Sequence, residues 1–248
     1  MKFNVIKTEP QEISRFRDLF LKGNNVQFVH NKCHDYGWAT SYLVLSENEK
    51  VGYGSVWGLN NRGDRDTVFE FYLTKSHRKF APAAFEQLLL VSGVTYIECQ
   101  TNIALLPDLM YEFSQDINTE SILFEDGHTT TIQMAGTTLS KREDRNKDIR
   151  YSLMKDDDEV ATGGLMLNYN YPYADIYMDV KEGFRQQGFG ALMVQELKRE
   201  AYHIGRVPAA RCNPKNKASK ATLEKAGFKA CGFMQVGKVR VSNPELVR

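Results

Sequence analysis

Between Met178 and Phe228 the chain packs strand-like, loop and helical patterns so tightly that few folds can hold them. The stretch M-D-V-K-E-G-F-R-Q-Q-G-F-G-A-L-M-V-Q-E-L leads, after Lys198 to Arg211, into C-N-P-K-N-K-A-S-K-A-T-L-E-K-A-G-F. Its first β-like run ends in the loop Arg185, Gln186, Gln187, Gly188, Phe189 and Gly190, of the form R-x-x-G-x-G, and an amphipathic helix starts at once. A loop of this kind turns several backbone N–H groups outward with the positive end of the helix behind them, which suits a phosphate. Short glycine patterns recur by chance, so the weight falls on the ordered run of strand, loop, helix, strand and helix.

The rest of the C-terminal half extends that order. Arg150 to Met154 and Val160 to Asn168 read as strands around an acidic turn, Lys155 to Glu159, which is either a metal site or, as charge runs usually are, a solvated hairpin tip. We read the hairpin tip. Tyr173 to Val180 alternates as a strand, and the helix from Gly188 carries Leu192, Met193, Leu197 and Ala201 on one side. Val207 to Asn213 predicts a strand, Ser219 to Ala226 a helix with Gly227 as its left-handed stop, and Phe233 to Val241 a closing strand. The highly charged Ser140 to Arg150 reads as a linker or exposed helix, so the domain boundary is drawn beside it, giving domains 1–138 and 139–248.

The first half repeats the outline in worn form. Lys50 to Gly58 and Thr67 to Leu73 read as strands, and His77 to Ala84 leads into a helix carrying Phe85, Leu88, Leu89 and Ser92. Then follow a strand at Val94 to Gln100, a helix at Leu105 to Ser114 and a strand at Ser121 to Asp126. Setting Arg78 on Arg185 puts Ala81 against Gly188 and Ala83 against Gly190. Side chains at positions that need positive φ or close approach obstruct a diphosphate, so the first copy is expected to pack, gate or select substrate.

At 248 residues with 42% hydrophobic and 25% charged side chains, the chain buries a core as one large domain or two small ones. Its formal net charge of +1 offers no global field for nucleic acid or an acidic membrane. No apolar run is long enough to span a bilayer and the first residues lack a leader pattern, so the expected location is the cytoplasm. Cys33, Cys99, Cys212 and Cys231 are scattered and read as reduced thiols, although Cys212 and Cys231 could meet on neighbouring strands. Cys33, His34 and Asp35 stand together without a second ligand pair, so no metal is expected. P-loop, α/β-hydrolase and zincin strings are missing.

The glycine loop, followed by Asn216 and by Gly227-Phe228, resembles the GNAT superfamily of acyl-CoA-dependent N-acyltransferases. The resemblance implies an α/β (α+β), tandem GNAT-like fold: a mixed, mostly antiparallel sheet with splayed central strands and flanking helices. It also implies acetyl-CoA as co-substrate, with the backbone of Met178 and Val180 on the pantetheine arm and Arg185, Gln186, Gln187, Gly188, Phe189 and Gly190 on the pyrophosphate. Asn216 would reach the arm and Ser219 the phosphates; capping the helix is an equal reading for Ser219 and compatible with binding for Asn216. Transfer needs a neutral amine, a polarised carbonyl and a proton for the departing thiolate. Asp175, Tyr177 and Asp179 alternate onto one strand face. Asp175 is favoured over Asp179 as base because it lies farther from the loop, an exposed strand residue being the plainer and equal reading of it, and Tyr177 is a candidate acid beside Tyr171 and Tyr173. Leu223 stands where many members have a tyrosine. The acceptor is then a small-molecule or peptide amine, a homodimer is compatible, and the rival readings are an acyl-CoA sensor without turnover or a peptide N-terminal acetyltransferase.

Overall fold

The computed structural model describes residues 2–24, 27, 31–143, 149–168 and 171–240. They form two compact units. One is drawn from the chain up to residue 24, from 31–120 and from 233 onward, and the other from residue 27 and 121–232.

The first unit opens with β1 (Phe3–Thr8), α1 (Pro10–Gly23) and α2 (Asn31–Asp35). Strands β2 (Thr40–Ser46), β3 (Glu49–Trp57) and β4 (Thr67–Leu73) come next. Pro10 at the first turn, where its missing N–H costs nothing, starts α1, and Ile13, Phe16 and Phe20 at helical spacing are its buried face. A 3-10 turn, Lys75–Phe80, runs into α3 (Ala81–Ser92), then β5 (Tyr96–Gln100) and α4 (Leu106–Phe113). Antiparallel pairing orders β1, β2, β3 and β4, and β5 lies parallel to β4.

Strand β6 (Ser114–Asp126) carries the chain to the second unit, which holds β7 (Thr137–Glu143), β8 (Ile149–Lys155), β9 (Asp158–Met166) and β10 (Tyr173–Val180). After these come α5 (Phe189–His203), β11 (Val207–Cys212), α6 (Lys217–Lys225) and β12 (Phe228–Val239). Strands β7 to β10 pair antiparallel in sequence order, and β11 is parallel to β10. The order is that of the first unit. Both are mixed, mostly antiparallel arrangements flanked by helices, as expected.

The last strand of each unit is exchanged. Strand β6, which follows α4, pairs with β11 through Ile122 to Glu125, and β12, which follows α6, pairs with β5 through Met234 to Lys238. Three expectations change accordingly. The strand expected at Ser121 to Asp126 begins at Ser114 and completes the second unit; the closing strand begins at Phe228 rather than Phe233. Ser140 to Glu143 belong to β7, where Lys141 and Arg142 suit an edge strand that charge protects from further pairing; residues 144–148 of the expected linker lie outside the described residues. Cys212 and Cys231 are free thiols: β11 pairs with β6, and the Cys231 thiol meets Gln27.

Candidate functional site

Strands β10 and β11 pair only from Tyr173–Val207 to Asp175–Ala209. Beyond that point β10 stays on β9 to Val180, while β11 from Ala209 onward pairs with β6, so the two parallel strands part. Beside the parted end of β10 lies a cleft of about 610 Å³ lined by Met178, Val180, Phe184, Gly188, Asn216 and Thr222, among others.

The mouth of the cleft is built by backbone conformation. Gln186 and Gly188 both have left-handed φ, 61° and 92°, and Gly188 opens α5 with no side-chain cap. The first N–H groups of that helix have no partner within it. At Gly188 the reason for glycine is φ rather than space, since an added Cβ would meet nothing closer than Lys225 Nζ at 3.9 Å. At Gly190 the reason is space: a Cβ would press on Thr222 at 3.2 Å and on Met178 and Val180 at 3.4 Å.

The other loop residues hold the loop. Arg185 Nε donates to the Val180 carbonyl at 3.0 Å, and its guanidinium lies 3.8 Å from Asp179. Gln187 donates to the Gly183 carbonyl, while Phe189 is buried edge-on against Phe184. Gln187 and Phe189 do not line the cleft; Met178, Val180, Arg185, Gln186, Gly188, Gly190, Asn216 and Ser219 do. Asn216 also caps α6, its side-chain oxygen accepting from the Ser219 N–H at 3.0 Å. Ala218, Ala221, Thr222 and Lys225 were missed by the sequence reading; the helical repeat running on from Asn216 was the signal that could have found them.

A buried lysine ties these elements together. Lys198 of α5 pairs with Asp126 at 2.8 Å and donates to the carbonyls of His128 and Ala226, which fixes α5 against the end of α6. Gly227 follows with φ 87°, where a Cβ would run into the His128 carbonyl oxygen. Leu223 is buried in the hydrophobic core, and its hydrocarbon side chain has no proton to give.

Asp175 sits at the vertex where the strands part. Only 2% exposed, it pairs with Arg211 at 3.5 Å, so it is neither an open strand residue nor in direct reach of solvent. Tyr177 lies one turn of the pleat further along, 40% exposed, on the face opposite the core side chain Ile176. The acidic turn is a hairpin tip with Asp156 in a left-handed conformation, and no group of three metal-ligating side chains occurs among the described residues. Cys33 is buried, its thiol pushed up to about 12 by burial, and His34 contacts Glu70 at 3.2 Å. No described helix is long and apolar enough to cross a membrane.

Comparison with known proteins agrees with this geometry. Residues 100–229 match the family described as "Acetyltransferase (GNAT) domain". An acetyltransferase from the GNAT family of Colwellia psychrerythraea is similar at a TM-score of 0.74 and 15% identity, covering 97% of this chain and 100% of that one. A tandem GNAT protein from the clavulanic acid biosynthesis pathway superposes at 0.60 with 12% identity, covering 98% and 100%. A GCN5-related N-acetyltransferase from Sphaerobacter thermophilus gives 0.55 and 12%, covering 97% and 96%. No curated protein matches the chain.

Proposed function

The chain belongs to the GNAT acetyltransferase family, and from that premise we propose that it moves an acetyl group from acetyl-CoA to a primary amine by direct attack while both are bound. The parting of β10 from β11, with a left-handed glycine loop at its mouth, carries this reading.

The residues present suit such a co-substrate. The floor between Val180 and Thr222 is open only because Gly190 has no side chain, which leaves room for a narrow arm. Met178 and Val180 would hold the arm's amides by their backbone, as an added strand does. The backbone of Gln186 to Gly190 would take the diphosphate, with Arg185 and Lys225 adding positive charge. Asn216 and Ser219 lie across the cleft as further donors. When bound, acetyl-CoA supplies an activated acyl group as a thioester.

The remaining work falls to the protein's own groups. Backbone N–H at Met178 or Val180 is aimed to stabilise charge on an oxygen. Asp175, buried and paired with Arg211, receives the amine proton through water rather than directly. Because a thiol of pKa ~8–9 is a tolerable leaving group, water suffices where Leu223 provides no acid. Leu223 is also the observation that favours a second reading, an acyl-CoA sensor without turnover. Titration calorimetry with acetyl-CoA tests the first requirement: saturable binding is expected, and no binding, or equal binding by Gly190→Leu, overturns both readings. Thiol release over a panel of amines separates them, since a sensor binds and releases none.

A further inference from the structure

Resting on that reading, we propose that the adenosine end of acyl-CoA lies in a second groove, formed by α5 and the segment 127–136, which Met134 lines beside Gly188.

The segment joins β6 to β7 without helix or strand of its own, yet its backbone is held along its length. The Gly127 and His128 N–H groups donate to the Gly227 carbonyl at 3.0 Å, and Lys198 takes the His128 carbonyl at 2.7 Å. One turn back along α5, Gln195 treats Ile132 as a strand partner would. Its Oε1 accepts from the Ile132 N–H at 2.6 Å and its Nε2 donates to the Ile132 carbonyl at 3.0 Å. The Thr130 hydroxyl donates to the same Oε1 at 2.8 Å. Gln195 is only 2% exposed, so without the segment a buried amide would lose its partners. Held in this way, residues 128 to 134 follow α5 toward its head, and Met134 arrives there. A Cβ at Gly188 would lie 4.0 Å from the Met134 sulfur and 3.9 Å from Lys225 Nζ, so a thioether and an ammonium flank the glycine.

The groove that Met134 lines holds about 550 Å³, within the range of small-molecule sites. Ile132, Met134, Leu139, Leu153 and Leu192 supply its apolar surface, Leu153 and Leu192 from the buried core. Leu192, whose N–H bonds the Gly188 carbonyl at 3.2 Å, lies about 6 Å from that glycine along the helix axis, and Glu196 about 12 Å. Glu196 and Arg199, both in the lining, pair with each other at 2.7 Å, one charge of each sign. Apolar surface and position, rather than charge, therefore select the occupant. The co-substrate's own connectivity supplies one, since its diphosphate carries the pantetheine arm at one end and adenosine at the other. With the arm along Met178 and Val180 and the diphosphate on the backbone at Gly188, the nucleoside is left outside the first cleft, next to Met134. A purine offers apolar faces to aliphatic walls, a thioether packs well on an aromatic ring, and Gln133 in the lining is a partner for polar ring edges.

Truncated co-substrates test this by calorimetry, with no turnover needed. Acetyl-CoA and acetyl-dephospho-CoA both carry the adenosine. S-acetyl-4′-phosphopantetheine keeps the arm and one phosphate but lacks the nucleoside, and is read by displacement of acetyl-CoA where its own heat is small. Ala135→Trp puts an indole into the groove from an exposed position of the segment, and Met134→Ala removes the thioether. Each is expected to weaken the two adenosine-bearing compounds about tenfold and the phosphopantetheine less than about twofold, with the melting temperature held. Acetyl-CoA affinity unchanged in both variants, an equal loss for the phosphopantetheine, or a loss seen with acetyl-CoA but not with acetyl-dephospho-CoA would overturn the proposal and leave the acetyl-CoA reading in place. No binding of acetyl-CoA by the unmodified protein would remove both.

Discussion

The two units part their parallel strands at equivalent points and then treat the opening in opposite ways. In the first, β4 and β5 pair only at Thr67–Tyr96 and Val68–Ile97; in the second, β10 and β11 separate after Asp175–Ala209. After β4 the chain winds through a 3-10 turn straight into α3, with Ala81 at φ −54° and its N–H bonded to the Arg78 carbonyl. After β10 a shorter 3-10 turn, Glu182–Phe184, is followed by two left-handed residues, Gln186 and Gly188, before α5 opens. No left-handed residue stands between β4 and α3.

The reverse faces differ as sharply. Two residues past the last parallel pair stand Glu70 in β4 and Tyr177 in β10. Glu70 is buried under helices: Arg17 of α1 bonds both its oxygens at 3.0 Å, His34 of α2 lies at 3.2 Å and the Tyr53 hydroxyl donates at 2.9 Å. Burial alone would raise the Glu70 carboxyl, but Arg17 and then His34 hold it well below the usual carboxylate range. Helices α1 and α2 occupy the link between β1 and β2. Glu70 is locked beneath them, whereas Tyr177 is exposed beside a groove. A shared strand order thus gives one unit braced at this position and one open there.

The strongest break of this comparison is to cut it at the expected boundary. A fragment of residues 139–248 lacks β6, and with it Ile122 and Phe124 of the core. It is expected to show no cooperative thermal transition, and a sharp one would instead support the division at 138/139. Next in size, Glu70→Gln leaves Arg17 buried without its counter-charge and should cost about 3–5 kcal/mol in urea unfolding, with acetyl-CoA affinity unchanged. Because the folded Glu70 value lies below the unfolded one, its contribution is full above about pH 4.3 and is lost as pH falls toward the folded value. The variant's unfolding free energy should therefore fall less steeply with acid than the unmodified protein's.

Gly190→Leu should weaken acetyl-CoA about 100-fold, or ~2.7 kcal/mol by calorimetry, by filling the cleft against Thr222. The converse double change, Ala81→Gly with Ala83→Gly, should create no second binding event, because the backbone there runs from the 3-10 turn into α3 without the left-handed residues that precede α5. The smallest effect is expected at Asn216→Ala, which removes the α6 cap for about 1 kcal/mol of stability, with a loss of acetyl-CoA affinity below about tenfold.

Much of the second unit was legible in sequence. The Tyr173 to Val180 strand, the helix opened by Gly188 and the left-handed stop at Gly227 all follow from period and from backbone freedom that a local string declares. Roles within the loop were less legible. Gln187 and Phe189 occupy motif positions yet turn away, one to the Gly183 carbonyl and one to Phe184. Asp175 reads on paper as a base or an exposed strand acid, and that it is buried beside Arg211 of β11 is recorded by no local string.

Sequence by itself determined the family resemblance, the glycine loop and the helical and strand periods, because each rests on the φ/ψ limits and side-chain spacing of contiguous residues. Only tertiary structure decided that β6 completes β11 and β12 completes β5, and that Glu70 is braced while Tyr177 is open. Pairing of that kind is a competition among distant strand edges, and no local string records which edge wins.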